Sequence, residues 1–280
     1  MKYGITQWSF PNGLYAFRFA AEAGYEGVQL ETGLDTTGYY MRDKAMQRIY
    51  LEESKRQNVE IISIVDNDMM YVGCQGDKDG EEYKKSIRAI QMTIDTCLDL
   101  GCKRFMLPMF FRSQIYADRP RTYDRAVEVL QFACRRAQDA GLVVQVETSI
   151  PAKLQLKLMQ DVDMPNLVNF YDTQNLYWYD GLDALKELPA LMPVNGPEMH
   201  ICDGWGMMSK DTNGAQLLGY GDAHIAEQMK VICEYGWDGW LIMENGYHLP
   251  SLRDKGSFVE LAKRDLDVCK AWVAQYSNER

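Results

Sequence analysis

One local pattern constrains this chain more than any other: the end of an amphipathic helical run, then a glycine, then a short apolar run. It recurs at EAGYEGVQLE (22–31), DLGCKRFMLP (99–108), DAGLVVQVET (139–148) and EYGWDGWLIMEN (234–245). A glycine at such a junction takes the left-handed conformation that stops a helix, free of the Cβ clash that other residues meet there. The apolar runs that follow are nearly continuous in Val, Ile, Leu and Met, as in parallel strands buried on both faces. Asn58, in KRQNVEIISIV, suits the same capping role.

Reading outward from these anchors predicts eight strands, at 3–8, 26–31, 59–65, 103–108, 142–147, 167–172, 198–202 and 240–244. Helical patterns fall between them at 14–23, 42–57, 81–100, 122–139, 152–161, 181–189, 223–235 and 257–276. Alternation of this kind implies parallel pairing through right-handed crossovers. Eight units in 280 residues suit a closed (β/α)₈ TIM barrel of the α/β class. The competing doubly wound sheet lacks its phosphate fingerprint, since WSFPNGLY after the first strand holds one glycine. No linker or low-complexity tract interrupts residues 1–280, so one domain is expected. The longest irregular segments, 66–80 and 203–221, each follow a predicted strand and should lie at the C-terminal face of the barrel.

Charge narrows the function classes. With 40 acidic and 30 basic residues the net charge is −10, which argues against binding nucleic acid through phosphate contacts. No N-terminal apolar leader and no run of about 18 apolar residues is visible, so no membrane span is expected. The seven cysteines are scattered without CxxC spacing. They read as free thiols of a reducing compartment, hence a cytoplasmic setting.

Four consecutive predicted strands carry a metal-capable residue at or near their C-terminal ends: Glu147 in VVQVE, Asp172 in LVNFYD, His200 in EMHICD and Glu244 in WLIME. An ionised carboxylate at the end of a buried strand is costly unless it is paired or metal-bound. On a closed barrel the four converge toward one axis, as three carboxylates and one imidazole around a divalent cation would. Taken singly, each has a plainer explanation: a carboxylate as N-cap or ion-pair partner, His200 as a satisfied core histidine.

The ordered set VETS (146–149), YDTQN (171–175), MHICD (199–203), GYGD (219–222) and IMEN (242–245) resembles the sugar isomerase/epimerase families of the xylose-isomerase-like TIM barrel superfamily, and among them the ketose 3-epimerases. The resemblance spans nearly the whole chain. It implies that Glu147, Asp172, His200 and Glu244 bind one divalent metal ion, Mn²⁺ or else Mg²⁺, Co²⁺ or Zn²⁺. Two positions depart from the pattern. Asn175 stands where relatives often carry a His three residues after the metal-binding Asp. Trp205, Gly206 and Met207 stand where many ketose epimerases place an Arg. The related DNA-repair endonucleases with three zinc ions need more histidines than His200, His224 and His248 supply.

The resemblance implies an isomerase acting on a ketose or ketose phosphate by proton abstraction through an enediolate. Glu147 and Glu244 would serve as acid and base; the position of reprotonation would decide between epimer and aldose–ketose isomer. Substrate contacts are expected from Trp8, Glu31, Asn67, Asn175 and His248, with Phe10 and Asp66 further candidates. Tyr177, Trp178 and Tyr179 form either a pocket wall or a packing surface, and His224 caps or packs. Two other functions share the scaffold: a keto-inositol dehydratase, and a non-catalytic sugar-binding barrel. Relatives are often dimers or tetramers, so a homo-oligomer is expected by resemblance only.

Overall fold

The computed structural model describes residues 1–207 and 214–277. Its parallel strands are β1 (Lys2–Thr6), β2 (Gly27–Glu31), β3 (Glu60–Val65), β4 (Arg104–Pro108), β5 (Val143–Glu147), β6 (Leu167–Asp172), β7 (Asn195–Ile201) and β8 (Trp240–Met243). They close into a barrel in which β1 lies between β2 and β8, and the rest follow in chain order. The intervening helices are α1 (Ala16–Ala23), α2 (Lys44–Gln57), α3 (Glu81–Leu100), α4 (Pro120–Asp139), α5 (Ala152–Val162), α6 (Ala184–Leu191), α7 (Ile225–Tyr235) and α8 (Phe258–Ser277). The (β/α)₈ barrel expected from the glycine-punctuated repeat is the fold observed. Gly24 ends α1 at φ 93° and Asn58 follows α2 at φ 55°, both left-handed.

The chain divides into two compact units: Met1–Gln29 with Glu53–Glu60 and Tyr171–Arg280, and Leu30–Glu52 with Ile61–Phe170. In the first, Ile242 pairs with His200 and Thr6 with Gln29. Parallel partners share a face and the side-chain period is two, so Glu198, His200 and Ile242 point the same way, as does the position of Glu244. Outside the strands, Phe10 packs at 5.3 Å from Phe19 of α1 and 6.0 Å from Phe258 of α8. It is 3% exposed and belongs to the core. The expectation that Phe10 meets substrate is therefore wrong: the turn Gln7–Ser9 breaks the strand alternation and redirects its ring.

In the second unit, Phe105 pairs with Ile64 and with Val144, which pairs with Leu167. Asn169 accepts from Gln155 of α5 at 2.9 Å, so this face looks outward to the helices. The complementary face carries Gln145, Glu147, Val168 and Phe170. Asp66 has the parity of Ile64. It is wholly buried and faces Thr93 of α3, which corrects the expectation that it binds substrate. Helix α3 buries Ser86, Ala89, Ile90, Thr93, Ile94 and Cys97, one stripe at helical spacing.

Three details differ from the predicted elements. Strand β7 starts at Asn195, earlier than the predicted 198, and Trp237 donates its indole N–H to Gly196 O at 2.9 Å. Segment 66–80 contains a short helix, Asp68–Tyr71. Segment 203–221 begins as an antiparallel ribbon of Asp203–Gly204 with Ala215–Gln216, while its residues 208–213 lie outside the described ones. Among the described residues no helix is long and apolar enough to cross a membrane.

Candidate metal centre

Each carboxylate that ends β6 or follows β8 has one oxygen tied down and the other turned toward His200. Asp172 Oδ1 accepts the backbone N–H of Gln174 and of Asn175, both at 2.7 Å, as the short helix Asn175–Asp180 begins. Its Oδ2 lies 3.9 Å from His200 Nδ1 and accepts from Cys202 Sγ at 3.3 Å. Glu244 Oε1 accepts the indole N–H of Trp8 at 3.0 Å, and its Oε2 lies 3.0 Å from His200 Nδ1. On the far side of the ring, His200 Nε2 meets Gln29 Oε1 at 2.7 Å. Burial pushes the Glu244 carboxyl up, but His200, Trp8 and Asp172 beside it outweigh that and hold it below the usual carboxylate range.

One ligand atom from each of Asp172, His200 and Glu244 lies within 4.8 Å of the others. Asp172 and His200 are at most 3% exposed. Carboxylates this close and this dry repel unless a cation or proton sits among them. Two carboxylate oxygens and one imidazole nitrogen are donors suited to a divalent ion, so these residues fit the metal ion that the sequence implies, for which Glu147 is the expected third carboxylate.

A cleft of about 520 Å³ opens beside Glu244, lined by Trp8, Asn175, Trp178, Tyr179, Cys202 and His248 among others. Three of the five expected substrate contacts thus share one cleft: Trp8, Asn175 and His248. His248 also places Nδ1 3.4 Å from Ser9 O. Glu31 and Asn67 meet each other instead, with Asn67 Nδ2 donating to Glu31 Oε2 at 2.7 Å. The aromatic cluster divides. Trp178 and Tyr179 are cleft wall, whereas Tyr177 lines a second cavity with Asp183, Asp222 and His224. His224 holds the residue position before α7 at φ 54°, but its side chain makes no cap bond.

Reasoning from sequence missed several residues of this centre. Gln29 was marked only by being polar within an apolar strand. Cys202 reads as one more scattered thiol. Asp203 gathers the N–H groups of Gly204, Gly219 and Gly221 at 2.8–2.9 Å and so ties the GYGD turn to the end of β7. A side chain at Gly221 would run into the Asp203 carboxyl, which is why the turn needs glycine there.

Comparison with known proteins agrees with this architecture. A family model for the xylose isomerase-like TIM barrel matches residues 17–271. The chain is 24% identical over 230 residues to the 2-epi-5-epi-valiolone 7-phosphate 2-epimerase of Actinoplanes sp., covering 82% of this chain and 81% of the relative. Among solved structures, a xylose isomerase domain protein from Planctomyces limnophilus superposes with TM-score 0.76 at 19% identity, over 99% of this chain and 97% of that one. The D-psicose 3-epimerase of Clostridium cellulolyticum H10, solved with D-tagatose, gives TM-score 0.75 at 12% identity, over 98% and 99%.

Proposed function

The chain belongs to the xylose isomerase-like TIM barrel family, and from that premise we propose that it is a divalent-metal-dependent sugar isomerase or epimerase acting on a ketose or ketose phosphate. The observation that carries the reading is the Glu244 carboxylate. It clusters with Asp172 and His200 and also faces a cleft walled by aromatic rings. Support from the comparisons lies in relatives named as epimerases, on a barrel of the same fold.

A bound divalent ion, which we assign as Mn²⁺ with Mg²⁺, Co²⁺ or Zn²⁺ as alternatives, would supply Lewis-acid stabilisation of the negative charge that builds on neighbouring substrate oxygens. Glu147, Asp172, His200 and Glu244 would hold it. Glu147 and Glu244 would also move the proton: one removes it from the carbon next to the carbonyl, giving an enediolate, and the other returns one. Trp8 fixes which Glu244 oxygen is available. Trp178 offers an aromatic wall for the carbon face of a sugar, while Asn175 and His248 offer hydrogen bonds to its hydroxyls. Glu31 and Asn67, already paired, complete the proposed substrate contacts. The reading takes residues 1–280 as one domain. Seven buried cysteines, none in a disulfide, support a reducing, cytoplasmic setting.

The test is hydrogen exchange. Ketoses, ketose phosphates and inososes, including the phosphate named for the Actinoplanes relative, are incubated in D₂O with enzyme and Mn²⁺. A substrate should take up deuterium next to its carbonyl, and Glu147→Gln or Glu244→Gln should slow that uptake by about 10²–10⁴-fold. Full uptake in either variant removes that residue from the mechanism. A product that has lost water would instead favour the dehydratase reading.

A further inference from the structure

Strands β2 and β7 are separated around the barrel by β1 and β8. Their side chains therefore meet through the interior rather than along a ladder. Gln29 and His200 do so, both wholly buried, with Oε1 and Nε2 2.7 Å apart. The opposite ring nitrogen, Nδ1, is the one turned to Glu244 and Asp172. Ring rotation is restricted, since Trp8 packs against the imidazole edge-on at 6.2 Å.

We propose that Gln29 is a positioning residue that holds His200 as the Nε2–H tautomer and thereby presents the Nδ1 lone pair to the cation. A neutral imidazole carries one ring proton, and the partner of one nitrogen decides where it sits. An amide oxygen against Nε2 accepts that proton and leaves Nδ1 bare. Reversing the Gln29 amide would put an N–H₂ donor against Nε2, force the proton onto Nδ1 and aim it where the metal must bind. The two arrangements exclude one another, so the identity of residue 29 sets metal affinity without touching the metal. The inference rests on the metal reading above and adds to it a residue outside the ligand set.

Mn²⁺ affinity measured by titration calorimetry tests it, because it requires no substrate. Gln29→Met, which fills similar space without an acceptor, should weaken binding by about 10–100-fold, the usual cost of losing a group that orients a metal-binding histidine. Gln29→Glu keeps an acceptor and should bind within threefold of wild type or more tightly. Equal affinity in Gln29→Met, or equal loss in both variants, overturns the proposal. Long-range ¹H–¹⁵N spectra of the metal-free wild type decide the point without relying on a variant to fold. The chain has three histidines, and His224→Gln and His248→Gln identify the other two signals. A proton on Nε2 of His200 is expected, whether or not Glu244 holds a second proton on Nδ1 in the metal-free protein, and a ring protonated on Nδ1 alone refutes the assignment. If wild type itself takes up no Mn²⁺, the metal reading fails, whereas wild-type binding with an indifferent Gln29→Met removes Gln29 alone.

Discussion

Trp8 donates its indole N–H to Oε1 of Glu244 across 3.0 Å, linking the turn after the first strand to the residue after the last. A hydrogen bond to a carboxylate is worth about 1.5–3 kcal/mol. It also chooses which oxygen of Glu244 remains to face His200.

Trp8→Phe keeps an aromatic ring and removes only that donor. Turnover should fall by at least about tenfold, the equivalent of about 1.4 kcal/mol, with the melting temperature lower by several degrees but unfolding still cooperative. Steady-state kinetics beside a thermal melt would check this. Unchanged turnover would mean that Glu244 is oriented by other partners.

Asp66 should give the protein an unusual pH response. Burial raises its carboxyl to about 7, above the ordinary value of 3.8, against weaker help from Thr93 and the Asp68 backbone. The folded state then binds a proton that the unfolded state has already released between about pH 4 and 7. The contribution of Asp66 to folding stability falls as pH rises through that window, by up to about 1.4 kcal/mol per unit, and levels off above it. Asp66→Asn cannot ionise and should flatten the slope, leaving the variant more stable than wild type at pH 8. Urea melts from pH 5 to 8 measure both curves, and parallel curves would show that Asp66 ionises freely.

Asp265 of α8 holds Asn245, which lines the cleft. Its carboxylate accepts from Asn245 Nδ2 at 2.7 Å, Tyr247 OH at 3.0 Å, Leu218 N at 3.0 Å and Arg264 Nη1 at 2.5 Å. Asn245 in turn accepts from Asp203 N at 3.3 Å. Asp265→Ala strands several buried donors at once, each costing about 1–3 kcal/mol, so a loss of at least about 3 kcal/mol is expected. Denaturant titration reads it, and a loss below about 1 kcal/mol would show that the donors find water.

The barrel was legible because its strands are buried on both faces and therefore apolar throughout, with helix ends marked by Gly24, Gly101, Gly236 and Asn58. That same uniformity hid orientation. In a run such as EIISIVD nothing alternates, so the sequence did not show that Asp66 turns outward while Glu147, two residues past Gln145, turns in. The ligand set stood out because charge at a buried strand end demands compensation. Gln29 did not, since an uncharged amide makes no such demand and its partner is 171 residues away.

The central claim is a single cation held by Glu147, Asp172, His200 and Glu244. Crystals soaked in Mn²⁺ and measured for anomalous scattering test it most directly. The account expects one strong peak per chain, with ligand atoms of all four residues at about 2.0–2.4 Å. No peak among them, or a peak elsewhere that leaves these four residues bonded only to one another, would contradict it.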